Sequence, residues 1–126
     1  MANEEFILRL STIQQQAEKL EEQINAINQQ LQELGELKSS LGKLDEEEIL
    51  ANIGKGIFVK ARITSKDLYV NVGGKAVVKK NIPETQELIQ KQMLRLEEIK
   101  VSLLDEIQEA NHQLQQLVQE AQSHKN

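Results

Sequence analysis

Two stretches of this chain carry the same apolar rhythm, and each is the mirror of the other. Phe6, Leu10, Ile13, Ala17, Leu20, Ile24, Ile27, Leu31 and Leu34 advance in alternating steps of four and three. Ile89, Met93, Leu96, Leu103, Ile107, Ala110, Leu114, Leu117 and Ala121 keep the same spacing, with Lys100 standing at the one polar seam position. Each series is an a/d seam of the kind that zips helices together. Set Phe6 against Ala121, Leu10 against Leu117, Ile13 against Leu114, Ala17 against Ala110, Leu20 against Ile107, Ile24 against Leu103, Leu31 against Leu96 and Leu34 against Met93. The two residue numbers of every such pair have the same total. A chain with that property folds back on itself as two antiparallel helices, and whatever joins them lies at one end.

The first arm reads as one helix from about Asn3 to Leu44, with Asn3 as its cap and Glu4 and Glu5 in its first turn, where the helix dipole favours carboxylates. Gly35 and Gly42 are its weak points, and Gly42 marks its fraying end. Lys38 falls on the seam, while Leu37, Leu41 and Leu44 continue the apolar stripe on its flank. The run Asp45-Glu46-Glu47-Glu48 is a solvated join to the middle region. The second arm opens at Ile82-Pro83-Glu84-Thr85, with Asn81 or Ile82 in the cap, because proline suits a first helical turn. It runs to about Gln122, and Ile99 and Leu104 are expected to widen its stripe. Helices of this length make a rod of roughly 60 Å at about 1.5 Å per residue.

Between the arms the period drops from seven to two. Ile57, Val59, Ala61 and Ile63 alternate with Phe58, Lys60 and Arg62, and Leu68, Val70 and Val72 alternate with Tyr69 and Asn71. These are strands. Ile49–Ile53 supplies a strand before them, turning through Gly54-Lys55-Gly56, and Gly73-Gly74 leads into a last strand at Lys75-Ala76-Val77-Val78. Thr64–Asp67 provides a further turn. The expected fold class is α+β: a long antiparallel two-helix coiled coil whose helices are joined by two β-hairpins. Hairpins this small do not bury their faces alone, and their open edges invite pairing with another chain. Hairpins from several subunits are therefore expected to close into a shared β-body from which each coiled coil projects.

Composition narrows the function. Two Phe, one Tyr and no Trp in 126 residues are too few aromatics for a bulky globular core. Cysteine is absent, which removes disulfides and thiolate metal ligands. The start Met-Ala-Asn-Glu-Glu has no basic segment followed by an apolar one, and no run approaches the length of a membrane span, so a cytoplasmic location is expected, away from membranes. The net charge of −5 is unevenly spread: residues 49–80 hold seven Lys or Arg against one Asp, between two acidic arms.

Sites of chemistry are not apparent. Gly73-Gly74-Lys75 lacks the spacing and the following helix of a phosphate loop and is a hairpin turn. His112 and His124 are too far apart to share a metal on one helix and belong to the solvated surface. A carboxylate acting as acid or base needs a partly dry pocket, which a two-helix rod does not supply. No enzyme activity, cofactor or metal is expected. The basic middle, with Lys55, Lys60, Arg62, Lys66, Lys75, Lys79 and Lys80, invites a nucleic-acid reading. Stacking aromatics are sparse and the arms acidic, so these lysines are read as guards of the sheet edges instead.

The far end of the arms is the candidate binding site. Phe6, Ile7 and Leu10 from one helix gather there with Leu114, Leu117, Val118 and Ala121 from the other, and Ile7 and Val118 lie off the seam. The Ala17–Ala110 layer buries little surface, so the end beyond it opens more readily than the Leu-rich middle. A compliant apolar tip adapts to many partners.

Helix, two hairpins and a matching helix, with Gly54-Lys55-Gly56-Ile57-Phe58-Val59-Lys60-Ala61 opening one strand and Val70-Asn71-Val72-Gly73-Gly74 closing another, resembles the alpha class of prefoldin subunits over the whole chain. Beta-class members have a single hairpin, so the class rests on residues 49–80. One departure is Asn52-Ile53, where that class leads one to expect a proline. The short termini look more archaeal than eukaryotic. The resemblance implies one prefoldin-like domain over residues 1–126, divided into an N-terminal helix (1–44), a hairpin oligomerisation region (45–80) and a C-terminal helix (81–126). It also implies a hexamer of two alpha and four beta subunits that holds unfolded client proteins without ATP and delivers them to a cytosolic group II chaperonin. Phe6, Ile7, Leu10, Leu114, Leu117 and Val118 are then the client-binding residues, and Ile57, Val59, Ala61, Ile63, Leu68, Val70, Val72 and Val77 build the shared barrel. The alternative is a structural coiled-coil adaptor without client-holding activity.

Overall fold

The computed structural model describes residues 2–44 and 48–124. Helix α1 spans Ala2–Leu41; strands β1 (Glu48–Gly54), β2 (Ile57–Arg62), β3 (Leu68–Gly73) and β4 (Ala76–Lys80) follow; helix α2 spans Ile82–His124. Of the expected solvated run Asp45–Glu48, residues 45–47 lie outside the described residues, as does the side chain of His124, and Glu48 opens β1, paired with Arg62, instead of belonging to the join. The chain divides into two compact units, Met1–Gln32 with Leu94–Asn126, and Glu33–Met93. We call them the helical unit and the hairpin unit.

In the helical unit the heptad pattern is realised in the burial. Leu20, Ile24, Ala110 and Leu117 are buried, and the other seam residues, from Phe6 to Leu31 and from Leu96 to Ala121, are half-buried. Their neighbours on the flanks are exposed. Ile99 and Leu104 are among those exposed residues, so they do not widen the stripe. The seam is narrow, and positions one step beside it face water. Asn3 already lies inside α1, which begins at Ala2, so it is not the cap.

The hairpin unit contains the other ends of both helices. Helix α1 stops at Leu41, and Gly42 and Lys43 close the end with tighter bonds, Gly42 N–H to the Ser39 carbonyl at 3.2 Å and Lys43 N–H to that of Ser40 at 3.0 Å. Leu41 and Leu44 are half-buried, whereas Leu37 is exposed. Lys38 occupies its seam position without being wasted. Its Nζ donates to Gln90 Oε1 at 2.8 Å, and its carbonyl accepts from Gln86 Nε2 at 3.0 Å. These bonds tie α1 to α2 across the seam, and a Cβ at Gly42 would stand only 3.3 Å from that Gln86 nitrogen.

Helix α2 begins with a reciprocal cap. Asn81 Oδ1 accepts from the Glu84 N–H at 2.8 Å, and Glu84 Oε1 accepts from the Asn81 N–H at 3.1 Å, which satisfies two donors that a helix start leaves open. Pro83 sits in this first turn, where it has no bond to lose.

The four strands form two separate antiparallel hairpins, β1–β2 and β3–β4. Both are built on one plan. In each, an Asn side chain accepts from the N–H of a Gly two residues on: Asn52 Oδ1 from Gly54 at 2.8 Å, and Asn71 Oδ1 from Gly73 at 2.9 Å. Register shifts at both places, leaving Ile53 and Val72 as the extra residues of a bulge. The first loop places Lys55 and Gly56 at φ 52° and 78°, as a type I′ turn requires. Thr64–Asp67 therefore links two hairpins instead of pairing β2 with β3, and Ile63 lies just past the end of β2.

Candidate functional site

Among the described residues, apolar side chains are left exposed at the end of the helical unit, on the hairpins, at Leu37 and along α2 at Leu94, Ile99, Val101 and Leu104; the first two groups are the candidate sites. The first is the end of the helical unit where the first turns of α1 lie beside the last turns of α2. Of the six residues expected there, Leu117 is 8% exposed and belongs to the seam; Phe6, Leu10 and Leu114 are half-buried. Ile7 and Val118 are 62% and 44% exposed. Leu8, at 68%, joins them, and sequence reasoning missed it because it falls on the back of α1, outside any heptad stripe. Its signal was an aliphatic residue whose helical neighbours three and four positions away, Glu4, Glu5, Ser11 and Thr12, are all polar.

A groove about 220 Å³ in volume runs between the helices at this end. Ile13 and Leu117 form its floor, and Arg9, Gln113, Gln116 and Glu120 line it. At about 100° of turn per residue, Arg9 and Ile7 point about 200° apart, as do Gln116 and Val118. The groove thus occupies one side of the helix pair, and Ile7 with Val118 occupies the other. His112 lies one turn before Gln116, with Nε2 of each 3.2 Å apart. Among the described residues no group of three or more His, Cys, Asp or Glu is arranged to hold a metal.

The second region is the hairpins. Cross-strand pairing puts Ile49 opposite Ala61 and Ala51 opposite Val59 on one face of the first, with Leu50 opposite Lys60 and Asn52 opposite Phe58 on the other. In the second hairpin Leu68 faces Lys80 and Val70 faces Val78, while Tyr69 faces Lys79 and Asn71 faces Val77. Of the expected barrel residues, Ala61, Ile63, Leu68 and Val70 are half-buried, and Ile57, Val59, Val72 and Val77 are exposed. The register places Val77 on the Tyr69 face, and it is Val78 that shares the face of Val70. Leu50, Ile53, Phe58 and Tyr69 are also exposed, so both faces of these hairpins offer apolar groups. All four strands have a free edge.

Charge on the hairpins is locally ordered. Glu48 and Arg62 form a cross-strand pair at 4.0 Å, and Asp67 meets Lys79 at 3.2 Å. The Asp67 hydrogen bond, then its negative charge, holds the Lys79 ammonium above the usual lysine pKa. Ser65 Oγ bonds both the carboxylate and the N–H of Asp67 at 3.1 Å, which fixes the carboxylate in the link between the hairpins.

Residues 10–126, covering both helices and both hairpins, match the prefoldin subunit family. The chain belongs to that family. Prefoldin subunits are chaperone components and not enzymes. The chain is 31% identical over 114 residues to the prefoldin subunit alpha of Methanococcus maripaludis, covering 86% of this chain and 79% of that one. It also shares the fold of the filamentous PFD of Methanocaldococcus jannaschii, solved by cryo-EM, with a TM-score of 0.55 at 21% identity over 94% of this chain and 97% of that one. In the prefoldin fold a barrel closes between subunits, which accounts for hairpins left two-stranded in the single chain. Among the described residues no helix of this prefoldin subunit is long and apolar enough to cross a membrane.

Proposed function

We propose that this chain is an alpha-class subunit of a cytoplasmic hetero-oligomeric prefoldin, two alpha with four beta, that holds non-native proteins without ATP and passes them to a group II chaperonin. The hairpins, through Ile57, Val59, Ala61, Ile63, Leu68, Val70, Val72 and Val77, build the shared body, and the terminal end of the helical unit meets the client.

The observation that carries the reading is Ile7 and Val118, exposed on one side of a seam that buries Leu117 beside them. Single apolar contacts of this size are weak. Several subunits engaging one unfolded chain at once convert weak contacts into useful avidity through effective concentration. Phe6, Leu10 and Leu114, half-buried, become available when the end loosens beyond the small Ala17–Ala110 layer.

The test is suppression of aggregation of a chemically unfolded protein diluted into the assembled complex, without nucleotide. Ile7→Ser with Val118→Ser is expected to impair suppression and leave the assembled mass unchanged. Full suppression by that variant would remove the tip from the mechanism. A wild-type complex that suppresses nothing would favour the adaptor reading.

A further inference from the structure

We infer that the groove between Arg9, Ile13, Gln113, Gln116, Leu117 and Glu120 binds a short extended stretch of client backbone, with one aliphatic side chain seated on Ile13 and Leu117. This rests on the client-holding reading and specifies what form of polypeptide the end of the helical unit accepts.

The groove lies on the side of the helix pair away from Ile7 and Val118, so an interaction that used only those two apolar groups would leave it idle. Its lining is suited to something other than a bare hydrocarbon. Gln113 and Gln116 each bring a carboxamide, which both donates and accepts, and they stand one turn apart on the same rim; Gln116 Nε2 meets His112 Nε2 at 3.2 Å, which leaves its carbonyl oxygen and second N–H for a ligand. Those are the bonding partners that an unpaired peptide group lacks. In an unfolded chain N–H and C=O groups are open to such partners, whereas in a helix they are already paired.

Dimensions point the same way. From Gln113 to Glu120 the helix rises about 10.5 Å at about 1.5 Å per residue. That matches about three residues of extended chain at about 3.3 Å each. In an extended stretch successive side chains alternate, so a central one pointing inward meets the Ile13 and Leu117 floor while its neighbours point out. Arg9 and Glu120 put one charge of each sign at the same end, and no ion pair joins them among the described residues. A groove so charged does not sort clients by net charge, as a general holding device requires.

The probe is an end-capped, fluorescent nonapeptide of Gly and Ser with Leu at its centre, compared with the same peptide N-methylated on the residues either side of the Leu. Binding to the assembled full-length protein is followed by anisotropy. N-methylation removes donors without removing the Leu, and it is expected to weaken binding about fivefold, the equivalent of one ordinary hydrogen bond. In Gln113→Leu with Gln116→Leu, both at exposed helix positions, the two peptides should bind alike, with helicity by circular dichroism confirming the fold. Equal binding of both peptides to the wild type overturns the inference, as does a preference that persists in the double variant. If the wild type binds neither peptide yet suppresses aggregation, the groove is not used and the holding function stands; if it suppresses none, the failure lies with the holding function itself.

Discussion

Leu117 and Val118 are adjacent in sequence and opposite in role, and this offers a sharp test of how the end of the helical unit is divided between packing and binding. Leu117 is 8% exposed; Val118 is 44% exposed. Truncating a buried Leu to Ala costs about 2–5 kcal/mol in a core, where transfer and cavity terms add. Leu117 has a groove beside it into which neighbours can relax, so the low end applies, about 2 kcal/mol. Because each 1.4 kcal/mol or so is tenfold, the opening equilibrium of this end should rise about 30-fold. Val118→Ala removes two carbons of an exposed side chain and should change opening by about twofold or less, in line with about 0.5 kcal/mol or less for surface changes. Native-state hydrogen exchange of amides in residues 3–13 and 111–123 reads both. Aggregation suppression should show the reverse economy: Val118→Ser loses client holding at unchanged protection, whereas Leu117→Ala loses protection first. Equal loss of protection in the two variants would refute the assignment of Leu117 to the seam and Val118 to the surface.

Asn81→Ala should destabilise the complex by about 1 kcal/mol and Asn81→Asp by much less, since Asp keeps the acceptor for the Glu84 N–H; thermal melts at one protein concentration compare them. Gln90→Leu, which strips the half-buried Lys38 ammonium of its 2.8 Å acceptor, should cost about 1–2 kcal/mol, while Gln90→Leu with Lys38→Met is close to neutral. A double-mutant cycle without coupling of at least about 0.5 kcal/mol would count against this. For Lys79 the folded pKa is raised, so its pairing with Asp67 favours the folded state below the ordinary lysine value and the contribution is lost as pH climbs through the higher folded one. Asp67→Asn should lower the NMR titration midpoint of Lys79, and an unmoved midpoint contradicts the pairing.

The seams were legible because heptad spacing maps directly onto burial: every a/d position read from the sequence is buried or half-buried. The hairpins were legible from alternation and glycine. What escaped had specific causes. Ile99 and Leu104 looked like core because they are aliphatic, yet a two-helix seam is narrower than the face of a globular helix and leaves flanking positions in water. Val77 and Val78 are equally apolar, and only the bulge at Val72, which shifts register by one residue, decides that Val78 shares the face of Val70. Asn3 has the right chemistry for a cap, but α1 starts before it. Lys38 looked like a defect because its partners, Gln86 and Gln90, are 48 and 52 residues away. The groove needs side chains from both helices and has no mark in either alone.

Charge bears on who completes the hairpins. From Glu48 to Lys80 the chain holds seven cations, and its two carboxylates, Glu48 and Asp67, are each paired with one of them. Open strand edges and exposed apolar groups favour pairing with any similar hairpin, but two copies of this one bring like charges together. Lysines on strands are a known guard against such indiscriminate pairing. A partner hairpin with fewer cations meets the same apolar faces without that penalty, which is the physical reason to expect a hetero-oligomer. Exposed charges are screened over about 8 Å at 0.15 M salt and about 3 Å at 1 M, so the penalty is tunable. The purified chain alone should therefore gain mass by light scattering as salt rises from 0.05 to 1 M, while its complex with a beta-class subunit keeps its mass throughout. Complete assembly of the lone chain at 0.05 M salt would show that cations on the hairpins do not select the partner, and that the apolar faces suffice.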